Sequence, residues 1–217
     1  MRYDISVPYG VGTPPWPGDT PYSCGWAWDM TQGASVNVGR VTTSWHVGTH
    51  ADAPRHVSLS GVASEDLPLA AFSGPATVID ARDAKTGPSL TIEWLSTALD
   101  GRRLPERLLV RTGRSVATGV FPYEWPSLTA DAAHWLARGG LRLLGVDAPS
   151  VDARTATALA VHHALFAGGA YVLENLKLSM VPNGDYHLTA YPVLVSGADA
   201  APVRAVLDAL SPQNILP

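Results

Sequence analysis

The chain is expected to fold as a mixed-sheet α/β single domain spanning residues 1–217, and three observations carry that expectation. Seven short segments rich in Val, Ile, Leu and Tyr read as strands, whereas the helical segments are fewer and lie mostly in the second half. Neither a G-x-G-x-x-G turn nor a Walker loop is present, so a doubly wound nucleotide-binding fold fits less well. No polar linker or internal repeat divides the chain.

Taken in order, Ile5 to Val7 is the first strand, and a Pro/Gly-rich stretch leads to a second over Ser35 to Val41. Ala76 to Ala81 is a third. Thr91 begins a helix through Leu99, since a threonine side chain can accept from the first free N–H groups. The strand Leu108 to Thr112 follows. Thr129 then caps a helix through Ala137 that Gly139-Gly140 ends, and Leu141 to Asp147 is the next strand. A helix from Thr155 to Ala167, entered through the Arg/Thr/Ala-rich stretch Ala153 to Ala160, stops at Gly168-Gly169. Tyr171 to Leu176 and Tyr191 to Val195 are strands, and Ala201 to Leu210 reads as a final helix.

Composition excludes several classes of function. With 217 residues and 46% hydrophobic content the chain can bury a full core, and a net charge of −4 offers no basic patch to a polyanion. The apolar runs Leu141 to Val146 and Tyr191 to Val195 are far too short to span a bilayer. Met1-Arg2-Tyr3-Asp4 runs into strand-like sequence with no signal-peptide apolar stretch, so a cytoplasmic protein is expected. The single cysteine, Cys24, has no intramolecular partner, and Ser23 and Gly25 supply no base to activate it. No G-x-S-x-G supports a Ser-His-Asp hydrolase.

The densest chemistry lies in Trp45-His46-Val47-Gly48-Thr49-His50-Ala51-Asp52-Ala53-Pro54-Arg55-His56. Three of the chain's seven histidines and one aspartate fall within the eleven positions 46–56. Imidazole nitrogens and a carboxylate are what Zn²⁺ and its first-row neighbours accept, so this run can supply most of a coordination sphere. Gly48, Thr49 and Pro54 argue against a helix here; strand running into loop is expected, with Gly48 letting the backbone approach an ion and Pro54 turning Asp52 and His56 back toward it. On residue chemistry alone His56 can be a fourth ligand.

A second half-site is read at His162-His163 and Glu174. Adjacent helical residues point about 100° apart, so only one of the two histidines can face a given point. Glu174 lies in the apolar run Tyr171 to Leu176, where a charged carboxylate is costly without a cation or a hydrogen-bonding network. A metal supplies that, and so does an ion pair at a strand end. His134 and His187 stand apart and read as structural or surface residues. The seven tryptophans, among them Trp26, Trp28 and Trp45, can line an aromatic pocket or fill core, and Trp16 between prolines can touch substrate or pack a turn.

The run His46 to His56 matches H-x-G-T-H-x-D-x-P-x-H, and on it the chain resembles the cyclase-like metal-dependent hydrolases, most closely their bacterial kynurenine formamidase branch. Further likeness is carried by Gly12 to Pro21, Ser35 to Gly39, Gly74 to Ala76, Arg111 to Gly113, Gly145 to Asp152 and Leu173 to Leu176. The resemblance implies a swivelling β/β/α fold and a binuclear zinc centre, two Zn²⁺ per subunit with Mn²⁺ or Co²⁺ as substitutes. In it His46 and His50 bind one ion, His162 binds the other, and Asp52 and Glu174 serve both. It further implies His56 as proton donor and acceptor, Trp16 beside the substrate, and a homodimer. The implied reaction is hydrolysis of N-formyl-L-kynurenine to formate and L-kynurenine in tryptophan degradation; an isatin-type lactam hydrolase and a non-catalytic metal-binding domain are the other readings.

Overall fold

In a computed structural model, residues 1–83 and 89–210 are described, and they build one nine-stranded mixed sheet with three helices. The strands are β1 (Arg2–Asp4), β2 (Ser23–Trp28), β3 (Val38–Thr42), β4 (His50–Asp52), β5 (Ser73–Asp80), β6 (Ser89–Leu90), β7 (Arg107–Arg111), β8 (Ser127–Leu128), β9 (Leu143–Val146), β10 (Tyr171–Glu174), β11 (Gly184–Thr189), β12 (Ala200–Pro202) and β13 (Val206–Ala209). The helices are α1 (Ile92–Ala98), α2 (Ala130–Arg138) and α3 (Ala160–Ala167). The main sheet runs β1-β13-β11-β5-β7-β9-β10-β4-β12, while β2 pairs with β3 and β6 with β8.

Its centre, β5-β7-β9-β10, is parallel and its flanks are antiparallel. That division follows from sequence: every residue of β7 and β9 is buried, as expected for strands covered on both faces. Alternate side chains feed two cores. Leu108, Val110, Leu144, Val146 and Val172 pack under the helices with Leu95, Leu136 and Leu165. Leu109, Leu143 and Leu173 face the opposite side with Phe72, Leu188 and Leu207. Gly145 leaves room where β9 crosses this second core, since a Cβ there would lie 2.4 Å from Leu109 Cδ2 and 2.8 Å from Leu176 Cδ1.

Several elements depart from the sequence expectation. Ala201 to Leu210 is β12 and β13, not a helix: from Val203 to Leu207 burial alternates, and β13 closes the gap between β1 and β11. Tyr191 to Val195 is no strand; it makes one bridge, Pro192 to Val203, and Leu194 is 81% exposed. The proline has no N–H to offer a ladder. The first strand precedes Ile5 to Val7, although Ile5 and Val7 are core, and the second begins at Val38 rather than Ser35. The third helix starts at Ala160, not Thr155. Leu159 has φ +45, and the N–H groups of Val161 and His162 are accepted by the remote Asp152 carboxylate rather than by a local threonine. Among the described residues no helix is long and apolar enough to cross a membrane.

Candidate metal centre

The motif folds as turn, strand, then 3₁₀ turn: strand runs into loop as expected, but only from His50 onward, after a turn that carries the first histidine. His46 lies in a turn, His50 and Asp52 are alternate residues of β4 and share one face, and Pro54–His56 is a 3₁₀ turn. Ala51, between them, points into the opposite core. Gly48 has φ +70, and a Cβ there would lie 2.8 Å from Pro8 O and 3.0 Å from Val7 O, so the glycine lets this turn close against the N-terminal backbone. Thr49 pins this turn, its hydroxyl accepting from Val7 N (2.7 Å) and donating to Asn175 O (2.6 Å).

Sheet register brings in the second half-site. Glu174 pairs directly with His50, which places Glu174 Oε2 3.6 Å from His50 Nε2. His162, on the buried face of α3, sets its Nε2 3.2 Å from Asp52 Oδ2 and 3.4 Å from Glu174 Oε1. His163, one step round the helix, is exposed, and so are His134 and His187. Across the cluster, His46 Nδ1, His50 Nε2 and Asp52 Oδ1 lie mutually 3.2 Å apart.

The outer partners fix which nitrogens face inward. His50 Nδ1 donates to Gly48 O (2.9 Å) and His162 Nδ1 donates to Asp152 (2.6 Å), so in its neutral form each ring keeps its lone pair on Nε2, toward the Asp52–Glu174 side. Asn175 ties the halves together, its amide donating to His46 O (3.3 Å) and Gly48 O (3.2 Å) from a left-handed backbone. Asp152, Asn175 and Asp199 were not singled out from sequence. Asp152 stands ten residues before His162, and Asp199 has no sequence signal beyond being an acid; both are brought in by folding.

Electrostatics favour a cation. Burial pushes the Asp52 carboxyl up, but His50, His162 and His46 outweigh it and hold it well below the usual carboxylate range. Burial likewise opposes charge on His162 and His46, yet the surrounding carboxylates prevail: Asp152, Asp52 and Glu174 raise His162 well above an ordinary imidazole, and Asp199 with Asp52 pushes His46 up to about 10. Asp52 Oδ1 is buried with no hydrogen-bond donor among the described residues. Imidazole lone pairs and carboxylates converging on such an oxygen are the donor set of a first-row metal, and the site fits one. His46, His50 and Asp52 are close enough to share one ion; Asp52, His56 and His162 form a second close group.

Beside this cluster opens a cavity of about 300 Å³ walled by Trp16, Val116, Phe121 and Leu159, with His46, His56, His162 and Glu174 at its polar end. Trp16 lines it and also packs edge-on against Phe121 (5.4 Å) and Trp125 (5.9 Å). Trp26 and Trp28 are neither pocket nor core: they are 57% and 61% exposed on the β2–β3 hairpin, which also carries the exposed Cys24.

A family model described as "Putative cyclase" matches residues 3–153. Kynurenine formamidase of Bordetella avium (strain 197N) is 43% identical over 205 residues, covering 94% of this chain and 96% of that protein. Kynurenine formamidase of Bacillus cereus (strain ATCC 14579) is 43% identical over 204 residues, covering 94% and 95%. Among solved structures, a potential metal-dependent hydrolase with cyclase activity superposes with TM-score 0.80 at 27% identity, covering 97% of this chain and 99% of that one. Isatin hydrolase A from Ralstonia solanacearum has the same fold, with TM-score 0.79 at 22% identity over 95% and 91%.

Proposed function

Since the chain belongs to the putative cyclase family, we propose that it is a kynurenine formamidase, a metal-dependent hydrolase that converts N-formyl-L-kynurenine to L-kynurenine and formate in tryptophan degradation. The observation that carries this reading is the meeting of an unpartnered buried Asp52 oxygen, inward-facing imidazoles and an aromatic-walled cavity. The proposal includes the ligands: His46, His50 and Asp52 for one Zn²⁺, and Asp52, His162 and Glu174 for a second, with Mn²⁺ or Co²⁺ able to substitute. It includes a single domain, a cytoplasmic location and a homodimer, the last supported by the fully exposed β2–β3 hairpin.

When bound, the metal supplies Lewis acidity, polarising a carbonyl and lowering the pKa of water from 15.7 toward about 7. The chain's own residues do the rest. Trp16 and Phe121 hold the aryl ring, each aromatic contact adding roughly 0.5–1.5 kcal/mol beyond area burial. His56, at the polar end of the cavity, takes the proton of the attacking water. As oxygen bonds to the formyl carbon and the carbon–nitrogen bond breaks, His56 returns that proton to the departing nitrogen, which leaves poorly as an anion.

The test compares metal-stripped protein, protein restored with Zn²⁺, and restored His56→Ala, all on N-formyl-L-kynurenine. Activity is expected only with metal, and His56→Ala should lose about 10²–10⁴-fold while keeping its ions. Turnover of isatin-type lactams alone would move the protein to that branch, and a loaded site that hydrolyses neither would make it a binding domain.

A further inference from the structure

We infer that Asp199 is a positioning residue whose one carboxylate orients both a metal ligand, His46, and the proton carrier, His56. This rests on the roles proposed above for those two histidines. Asp199 Oδ2 lies 3.0 Å from His46 Nε2 and 3.5 Å from His56 Nδ1, and the two rings sit 4.4 Å apart between centroids. A carboxylate only accepts, so His46 must place its proton on Nε2, which leaves the Nδ1 lone pair facing His50 Nε2 and Asp52 Oδ1. By the same argument His56 carries its proton on Nδ1 and keeps Nε2 as its basic nitrogen. One oxygen thus sets two tautomers.

The backbone holds that oxygen in place. Asp199 precedes β12, whose register against β4 pairs Ala200 with Asp52 and Pro202 with His50. Asp199 O accepts from Ala53 N (2.9 Å), three residues before His56, and Ser64 N binds the neighbouring Ala198 O (2.9 Å). Asp199 touches the ligand's outer nitrogen and the proton carrier, and acts through them.

The test is Asp199→Asn, isosteric but uncharged, read in two ways. Zn²⁺ affinity, measured by chelator competition, should fall about tenfold while the metal per subunit at saturation matches the unaltered protein, the effect expected of a carboxylate behind a ligand. Hydrolysis of unsubstituted formanilide, whose amine must be protonated to leave, should fall about 10²-fold in kcat with KM nearly unchanged, whereas 4-nitroformanilide should fall less than about fivefold. Equal losses on the two anilides, or fewer ions at saturation, would overturn the inference in favour of a structural or directly ligating role. If the unaltered protein hydrolyses neither these anilides nor N-formyl-L-kynurenine, the formamidase reading fails, while an unchanged Zn²⁺ affinity in the variant would overturn this inference whatever the substrate.

Discussion

His162 and His163 show what a single residue owes to its surroundings. They are adjacent and identical, yet one is 2% exposed against Asp52, Asp152 and Glu174 and the other faces solvent. Sequence restricts the choice to one of the two, because helical neighbours diverge; which one needs the helix phase, and that depends on a start at Ala160 set by the distant Asp152. The same surroundings give a proton linkage. His46 is raised from 6.5 to about 10, so its protonated form favours the folded, metal-free chain below pH 6.5, and that contribution is lost as pH rises through about 10. In the proposed site a metal takes the same imidazole's Nδ1. Zn²⁺ binding at pH 7 should therefore release protons, and apparent affinity should climb as pH rises toward about 10. Calorimetry in two buffers of different ionisation enthalpy checks this: identical enthalpies would mean that no proton leaves.

At the scale of elements, the parallel strands were legible because burial on both faces forces continuous Val and Leu runs, as in β7 and β9. The motif was legible from three histidines and an aspartate within eleven positions, and the Glu174 strand from a costly carboxylate in an apolar run. The C-terminal strands were not. Ala201 to Leu210 is rich in helix formers, and only pairing with β4, β11 and β1 selects the extended form. β11 was missed because its inward residues are only Tyr186 and Leu188, flanked by the exposed Asp185 and His187. Where β5 and β7 end together, Asp80 pairs in register with Arg111 and binds its guanidinium (2.7 Å), as does Asn183 (3.0 Å). The Arg82 and Arg111 guanidiniums hold the Asp80 carboxyl well below its ordinary value. Its stabilising effect is therefore present above about pH 4 and lost as pH falls toward the lower folded pKa. Asp80→Asn should cost about 1–2 kcal/mol near pH 7, allowing for partial solvent screening, and less below pH 4. Urea unfolding of both proteins at pH 7 and pH 3 measures this, and a pH-independent difference would refute it.

Across the whole molecule, one feature stands outside the two cores. Every residue of β2 and β3 is exposed, including Trp26 (57%), Trp28 (61%) and Val41 (53%), and Met30 in the connection is 56% exposed. A two-stranded hairpin is marginal in water by itself, and tryptophans on such a surface mark a contact face. The net charge of −4 is too small to keep two copies apart at physiological salt. The homodimer expected from the sequence resemblance therefore has a structural candidate in this hairpin. The proposed ligands all come from β4, α3, β10 and the turn at His46, none from the hairpin, so assembly and metal binding should be separable. Sedimentation should give a dimer for the native chain, and Trp26→Ser with Trp28→Ser should shift it to monomer with Zn²⁺ content unchanged. A native chain that sediments as a monomer at micromolar concentration would remove the dimer, and a variant that loses metal along with assembly would mean that the hairpin also supports the site.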